Sequence, residues 1–495
     1  MNSPVVTSAQ MRDAENAAFA RGISAEHLMN QAGSGVATVI QQFFPRSGYC
    51  LVFSGKGNNG GDALVAAAHL KRAGWHTDVH LSFPESECSE LLRKKITEFR
   101  DTPPAAGAAV SAANLSGTLP YSTVILDGLL GLGSKPPLRD PILAACREIN
   151  RLRRQHNAFV FAVDQPTGLD GDSGNADPDC VVADFTVTIA AAKRGLLADD
   201  PINFVGRLEV VPLPDLPLKT ADETVASATA LRGLLPRRQF EAHKNQFGRV
   251  GMVVGSRGFA GAATMCAWGA LRGGAGLVEV FVPENIYEVV AAAAPFESMV
   301  KPIKSYRDLL DEKIDVWGIG PGLGKEDPRE IIDLVQRTEN PMVVDADALN
   351  IISTEVSILK NCRGTRLLTP HPGEMKRLAG DRKISRVELT KKFTAEFPVT
   401  LLLKGSRTIV AENGKRISYN TTGNPGMATG GMGDVLTGVC AALIAQKLSL
   451  FDAARVGAWV CGRAAEIAIF NDGESEQSLL PRDVLTNLGR AFREL

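Results

Sequence analysis

The sequence predicts an α/β protein of two domains, each a three-layer αβα arrangement around a largely parallel sheet. Three observations carry that expectation. At 495 residues the chain is too long for one ordinary core. Short apolar runs alternate with helical stretches, the pattern of parallel strands covered on both faces. The alternation runs twice, separated by a stretch from Pro212 to Ser227 that holds Pro214 and Pro217, lacks periodicity and reads as a linker. The domains are placed at 1–217 and 228–495.

The first alternation opens with helices over 8–20 and 25–44, the second capped by Ser24. An apolar strand over 49–54 runs into Gly55-Lys56-Gly57-Asn58-Asn59-Gly60-Gly61-Asp62, and a helix follows over 63–72. Further strands are expected over 79–83, 123–127, 158–164, 185–189 and 207–211, with a helix over 141–153. In parallel sheets ligands bind beyond the carboxyl ends of the strands. Asn58, Asn59, Asp62, Asp127, Asp164 and Thr167 all fall there. Taken singly, Asp127 and Asp164 are more often acids capping the next helix; taken with the asparagine loop they point to a site. Gly55-x-Gly57-x-x-Gly60 also matches the dinucleotide fingerprint, with Glu85 as ribose acid. An acid at the end of that turn would meet the dinucleotide's pyrophosphate, which favours a different use.

The second alternation places strands over 250–254, 277–282, 316–320, 342–345, 366–369 and 399–404, with a helix over 260–273. A hairpin joins 409–411 to 416–419 at Asn413-Gly414. Then comes Asn424 to Ala441, with Gly426, Gly430, Gly431, Gly433, Gly438 and one acid, Asp434, before an apolar helix over 435–444. Backbone N–H groups at a helix start are unpaired and partly positive, and glycines let them approach an anion such as phosphate. A carboxylate beside phosphate is wrong for binding alone. It suits a base that takes the proton from a hydroxyl attacking that phosphate. A helix-capping acid would account for Asp434 but not for the glycines.

Composition narrows the partners. Apolar residues make up 44% and charged residues 22%, as in ordinary globular domains. A net charge of −1 gives no field for nucleic acid or an acidic membrane. Eight scattered cysteines without a Cys-x-x-Cys pair fit reduced thiols. The N-terminus shows no secretory pattern, so a cytoplasmic protein is expected. No Walker loop is present.

Several further words stand in one order: His243-Lys244 with Phe247-Gly248, Gly261-Ala262-Ala263, Gly273 to Val278, Asp345-Ala346-Asp347-Ala348-Leu349, Leu368 to Glu374, and Leu403-Lys404-Gly405. With them, the chain from about His243 to Glu466 resembles the ribokinase-like, ADP- or ATP-dependent dehydratases that repair hydrated NADH and NADPH. The first 215 residues or so resemble the Rossmann-like epimerase domain of the same system. There Asn58 to Asp62 matches the Asn-Asn-x-Gly-Asp loop, and Gly131 to Pro137 a second substrate loop.

The resemblance implies two activities: epimerisation of R and S hydrates at C6, and dehydration of the S epimer with ADP, giving AMP and phosphate. Its implied epimerase contacts are Asn58, Asn59, Gly60, Gly61, Asp62, Gly131, Leu132, Gly133, Ser134, Lys135, Pro136, Pro137 and Asp164, the last moving the C6 proton. It implies a potassium ion on Asn59, Asp127 and Thr167, in keeping with a hard cation's preference for oxygen. For the dehydratase it implies hydrate contacts at Gly322, His371 and Asp434, with Asp434 catalytic. Nucleotide contacts fall at Lys404, Gly405, Ser406, Arg407, Thr408 and Gly433. Magnesium and a homo-oligomer are also expected. Two departures stand out: Gln165 replaces an apolar residue, and Cys461 a histidine. Two other classes stay open, a small-molecule kinase for the second domain and a cofactor-binding module without catalysis for the first.

Overall fold

The computed structural model describes residues 3–105, 123–235 and 237–495. The chain divides into two compact units, Ser3–Asp222 and Glu223–Leu495.

The first unit holds strands β1 (Ser3–Val6), β2 (Tyr49–Ser54), β3 (His76–Leu81), β4 (Thr123–Gly128), β5 (Phe159–Val163), β6 (Phe185–Ile189), β7 (Ala192–Lys193) and β8 (Arg207–Val211). Six form a sheet in the order β3-β2-β4-β5-β6-β8, parallel throughout; β1 pairs with β7 beside it. Alternate side chains serve opposite faces. Tyr49, Leu51 and Phe53 of β2 pack with Ile142, Ala145 and Ile149 of the helix Ile142–His156. The other face carries the helices Ala25–Phe43 and Asn58–Arg72. Sequence order reverses between β2 and β4, so the crevice for a ligand opens beyond the carboxyl ends of those two strands.

The second unit holds β9 (Glu223–Val225), β10 (Arg249–Val253), β11 (Leu277–Pro283), β12 (Met299–Ile303), β13 (Val316–Ile319), β14 (Met342–Val344), β15 (Arg366–Leu368), β16 (Thr400–Leu403), β17 (Thr408–Ala411) and β18 (Ile417–Asn420). They run β12-β11-β10-β13-β14-β15-β16-β17-β18-β9. The pairs from β12 to β16 are parallel, and β16-β17-β18 antiparallel. Here the order reverses between β10 and β13.

One face of this sheet is covered by the helices Ala260–Arg272, Met432–Ala445 and Leu450–Phe470. The first two lie parallel with backbones in contact. A Cβ on Gly269 would stand 2.4 Å from the Val435 carbonyl oxygen, and one on Gly438 2.2 Å from that of Cys266. Both helices therefore present their N-termini at the carboxyl edge of the sheet. All eight cysteines are unpaired, and seven are buried.

The structure departs from the sequence reading at several places. The stretch 212–227 is not merely a linker, because β9 within it pairs with β18. The strand expected over 79–83 is β3, displaced toward Trp75. Asn58 to Asp62 form the opening of the helix Asn58–Arg72 rather than a turn before it. Glycine is needed there: side chains on Gly60 and Gly61 would meet Ser54 Oγ at 2.4 Å and Met29 at 2.5 Å. Likewise Gly433 and Asp434 lie inside the helix Met432–Ala445, and Gly438 sits deep in it as a packing residue rather than part of an anion-binding turn.

Gly438→Val should therefore force the two parallel helices apart. Overpacking of this kind costs about 1–3 kcal/mol. A lowered urea midpoint with an unchanged slope is the expected result.

Candidate active sites

In the first unit Asp127 is the penultimate residue of β4 and is fully buried. Thr167 donates to it twice, backbone N to Oδ2 at 2.8 Å and Oγ1 to Oδ1 at 2.7 Å, and the Leu129 N–H adds a 3.3 Å bond. Burial pushes the Asp127 carboxyl up to about 6, against those hydrogen bonds. The Thr167 hydroxyl also accepts from the Leu130 N–H at 3.1 Å. Asn59 is buried, and its Nδ2 has no hydrogen-bond partner among the described residues. A Cβ on Gly131 would lie 3.0 Å from Asn59 Oδ1. The segment from Leu129 to Gly131 thus links Asn59, Asp127 and Thr167. Their amide, carboxylate and hydroxyl oxygens suit a hard cation better than a soft transition metal. Gln165 is buried inside its own loop, with Nε2 donating to the Leu169 carbonyl at 2.9 Å.

Asp164 lies beyond β5 with φ +67°, a left-handed conformation a non-glycine residue adopts only when its surroundings hold it there. Its Oδ1 accepts from the buried Lys193 ammonium, from the Ile189 N–H at 3.1 Å and from Thr188 Oγ1 at 3.3 Å. Its Oδ2 accepts none of these bonds. Asp62 shares this environment: burial first, then the charges of Asp164 and Glu15, push its carboxyl well above the usual range, with Lys193 opposing. Glu15 is raised by burial and by Asp164, against Lys193 and Arg12. Arg12 reaches the loop 131–137, since a Cβ on Gly133 would stand 2.8 Å from its guanidinium.

Sequence reasoning missed Arg12, Glu15 and Lys193. The first two sit on the helix Ser8–Ala20, far from every motif. Lys193 follows an ordinary apolar strand, and nothing local marks it.

In the second unit Asp345 follows β14 and is buried. Lys404, beyond β16, donates to its Oδ1 at 2.7 Å, and Thr437 Oγ1 to its Oδ2 at 2.9 Å. Gly433 faces this pair, its absent Cβ 3.3 Å from Lys404 Nζ and 3.4 Å from Asp345 Oδ2. Asp434 lies next along the same first turn. Burial, then Asp345, push its carboxyl up to about 6, while Lys404 pulls the other way. Gly322 has φ +67°, and a side chain there would meet Ala262 and Phe259 at 2.9 Å. The Gly324 N–H donates to Asp347 at 2.9 Å.

His371 is exposed and caps the helix Pro372–Ala379, its Nδ1 accepting from the Gly373 N–H at 2.9 Å. Gly405 is held by Arg386, which donates to the Lys404 carbonyl at 3.1 Å. Arg407 is buried and donates to the Ser406 carbonyl at 3.1 Å, and Thr408 opens β17. The structure therefore gathers Lys404, Gly433 and Asp434 into one cluster, and adds Asp345 and Thr437, to which the sequence assigned no role. A strand-end acid after an apolar run, the signal used for Asp127 and Asp164, would have found Asp345.

Each unit thus places carboxylates and a lysine at the carboxyl edge of a parallel sheet, which defines a two-domain α/β enzyme. A family model described as NAD(P)H-hydrate dehydratase matches residues 250–487, and one described as YjeF-related protein N-terminus matches 25–195. The bifunctional NAD(P)H-hydrate repair enzyme of Moorella thermoacetica is 35% identical over 99% of this chain and 97% of its own. That of Escherichia coli is 34% identical over 97% and 92%. The crystal structure of an ADP/ATP-dependent NAD(P)H-hydrate dehydratase from Bacillus subtilis covers 54% of this chain and 97% of its own, at 28% identity and a TM-score of 0.48. The chain belongs to the bifunctional NAD(P)H-hydrate repair enzymes. It repairs hydrated nicotinamide cofactors by an epimerase and a dehydratase activity.

The electrostatics of Asp434 give a prediction. Its folded value of about 6 lies above the ordinary aspartate value of about 3.9. Between those values the native state binds more protons than the unfolded chain, so stability falls as pH rises through the interval. Asp434→Asn should therefore be more stable than the parent at pH 8, with the difference vanishing below about pH 4 in chemical denaturation.

Proposed function

We propose that Glu223–Leu495 carries the dehydratase and Ser3–Asp222 the epimerase. The observation that carries the first assignment is Asp434 in the first turn of a helix, beside the buried Asp345–Lys404 pair. In this reading the helix start and Lys404 hold the nucleotide phosphates, with Gly405 to Thr408 completing the nucleotide contacts. The nucleotide is ADP, giving AMP and phosphate, and magnesium enters as the counterion of its phosphates. Gly322 and His371 contact the hydrate.

Asp434 takes the proton from the C6 hydroxyl of the S epimer as that oxygen attacks the terminal phosphorus. A carboxyl with its value near 6 is largely ionised at neutral pH and basic enough for the transfer. The phosphorylated oxygen then leaves as phosphate, driven by the N1 lone pair, and loss of a C5 proton restores the double bond.

In the first unit Asn59, Asp127 and Thr167 would hold potassium, which would supply a positive charge where the segment from Leu129 to Gly131 meets Thr167 and Asn59. The loops 58–62 and 131–137 then take the hydrate with Asp164 at the reacting centre. No helix among the described residues is long and apolar enough to cross a membrane. We place the enzyme in the cytoplasm with its nicotinamide substrates.

Asp434→Asn should leave nucleotide affinity within a few-fold and lower dehydration by about 10²–10⁴-fold, read as returning NADH absorbance. Near-parental turnover would remove Asp434 from the role of base. The acid limb of parental dehydration should fall near pH 6, where Asp434 becomes protonated. Full-length Asp164→Ala, given equal R and S hydrate with excess ADP, should repair about half and then slow to the spontaneous epimerisation rate. Complete repair at the parental rate would remove Asp164 from the epimerase site.

A further inference from the structure

The first site's carboxylates are arranged for a proton relay that leaves the C6–H bond alone. Asp164 is two-sided. Its Oδ1 takes three donors, Lys193, Ile189 N–H and Thr188, while Oδ2 takes none among the described residues. Lys193 is spent on this anchoring, because its ammonium also donates to Thr188 Oγ1 and the Ile189 carbonyl, both at 3.1 Å. Asp62 lies near the start of the helix Asn58–Arg72, which begins beyond the carboxyl end of β2, and the charges of Asp164 and Glu15 reach it there; burial and those charges push it toward its protonated form, so the pair offers one base and one acid. Glu15 and Arg12 from the helix Ser8–Ala20 complete the charged groups of the site.

Hydration of the nicotinamide ring makes C6 a hemiaminal carbon, bonded to the hydroxyl oxygen and to N1. A carbanion at C6 has no carbonyl to receive its electrons, so no carboxylate removes that hydrogen. Loss of hydroxide would leave an N1=C6 iminium, which gives up a C5 proton to become the dehydrated cofactor directly. A first site working that way would itself dehydrate, and the nucleotide-driven second site would have no purpose. Cleavage of N1–C6 remains, with N1 as leaving group because its electron pair passes through C2=C3 into the carboxamide.

We propose that the first site epimerises C6 by opening the hemiaminal, Asp164 Oδ2 taking the hydroxyl proton and Asp62 giving a proton to N1, with Lys193 as the positioning residue for Asp164. The O–H electron pair becomes the C6=O bond as the N1–C6 pair moves onto N1. The intermediate is an open-chain aldehyde. Rotation about C5–C6 turns the other carbonyl face to N1. In closure N1 attacks C6 and returns its proton to Asp62, and the C6 oxygen takes its proton back from Asp164. Both carboxyls end as they began. This inference rests on the assignment of the epimerase to the first unit.

The test uses the full chain without nucleotide, given pure S hydrate in deuterated, ¹⁸O-labelled water, with the uncatalysed rate subtracted. The expected R product carries hydrogen at C6 and the original oxygen. Deuterium at C6 would overturn the proposal, as would ¹⁸O entering in step with each epimerisation. Failure to accelerate epimerisation at all would overturn the epimerase assignment and the proposal with it. Asp62→Asn should lower epimerase kcat by about 10²-fold or more while KM for the hydrate stays within a few-fold, which reports an intact first site.

Lys193→Met should lower epimerase kcat by about 10²-fold while KM for the hydrate stays within a few-fold, because Asp164 loses the ammonium that holds its Oδ1. Lys193→Arg should restore much of kcat. Parental kcat in Lys193→Met would overturn the role given to Lys193.

Discussion

The dehydratase site depends on two helices touching without side chains between them. Gly269 meets the Val435 carbonyl, and Gly438 fits between Cys266 and Ala270. Neither contact admits a Cβ, so the helices Ala260–Arg272 and Met432–Ala445 run side by side in one direction. That approach sets how far the second helix projects past the sheet. Gly433 and Asp434 consequently arrive at the height of Asp345 and Lys404, which extend from strands on either side of β15. The chemistry at the edge is fixed by packing in the middle.

Both units solve the same electrostatic problem in the same way. A parallel sheet brings several strand-end acids into one crevice, where mutual repulsion and burial work against all of them. In the first unit Lys193 neutralises Asp164 and leaves Asp62 raised. In the second Lys404 neutralises Asp345 and leaves Asp434 raised. One lysine between two acids separates a settled ion pair from a carboxyl held above the usual carboxylate range.

Much of this was legible in the sequence, and the limits have physical causes. Short apolar runs alternating with helical stretches marked most of the parallel strands. Short β1, β7 and β9 were missed because their pairing depends on partners far along the chain, and the edge strand β12 because Lys301 and Pro302 interrupt its apolar run. The site words at Asn58–Asp62, Gly131–Pro137 and Gly433–Asp434 were visible because glycines and acids cluster there. The glycines misled in one respect. Gly60, Gly61 and Gly438 looked like turn residues but make helix contacts, and a sequence records small size without saying what stands opposite. Arg12, Glu15 and Lys193 left no local signature, since their role arises only when three distant segments fold around Asp164.

The unpaired thiols have a consequence for the conditions under which such an enzyme works. Burial pushes Cys50, Cys266 and Cys440 far up, and Cys461 up to about 12, so the reactive thiolate form is scarce. No cysteine is among the reacting groups assigned to either site. Oxidants and electrophiles that silence thiol-dependent catalysts therefore find little purchase on these residues. Damaged cofactor can still be mended while the surrounding pool of reductant is being drained.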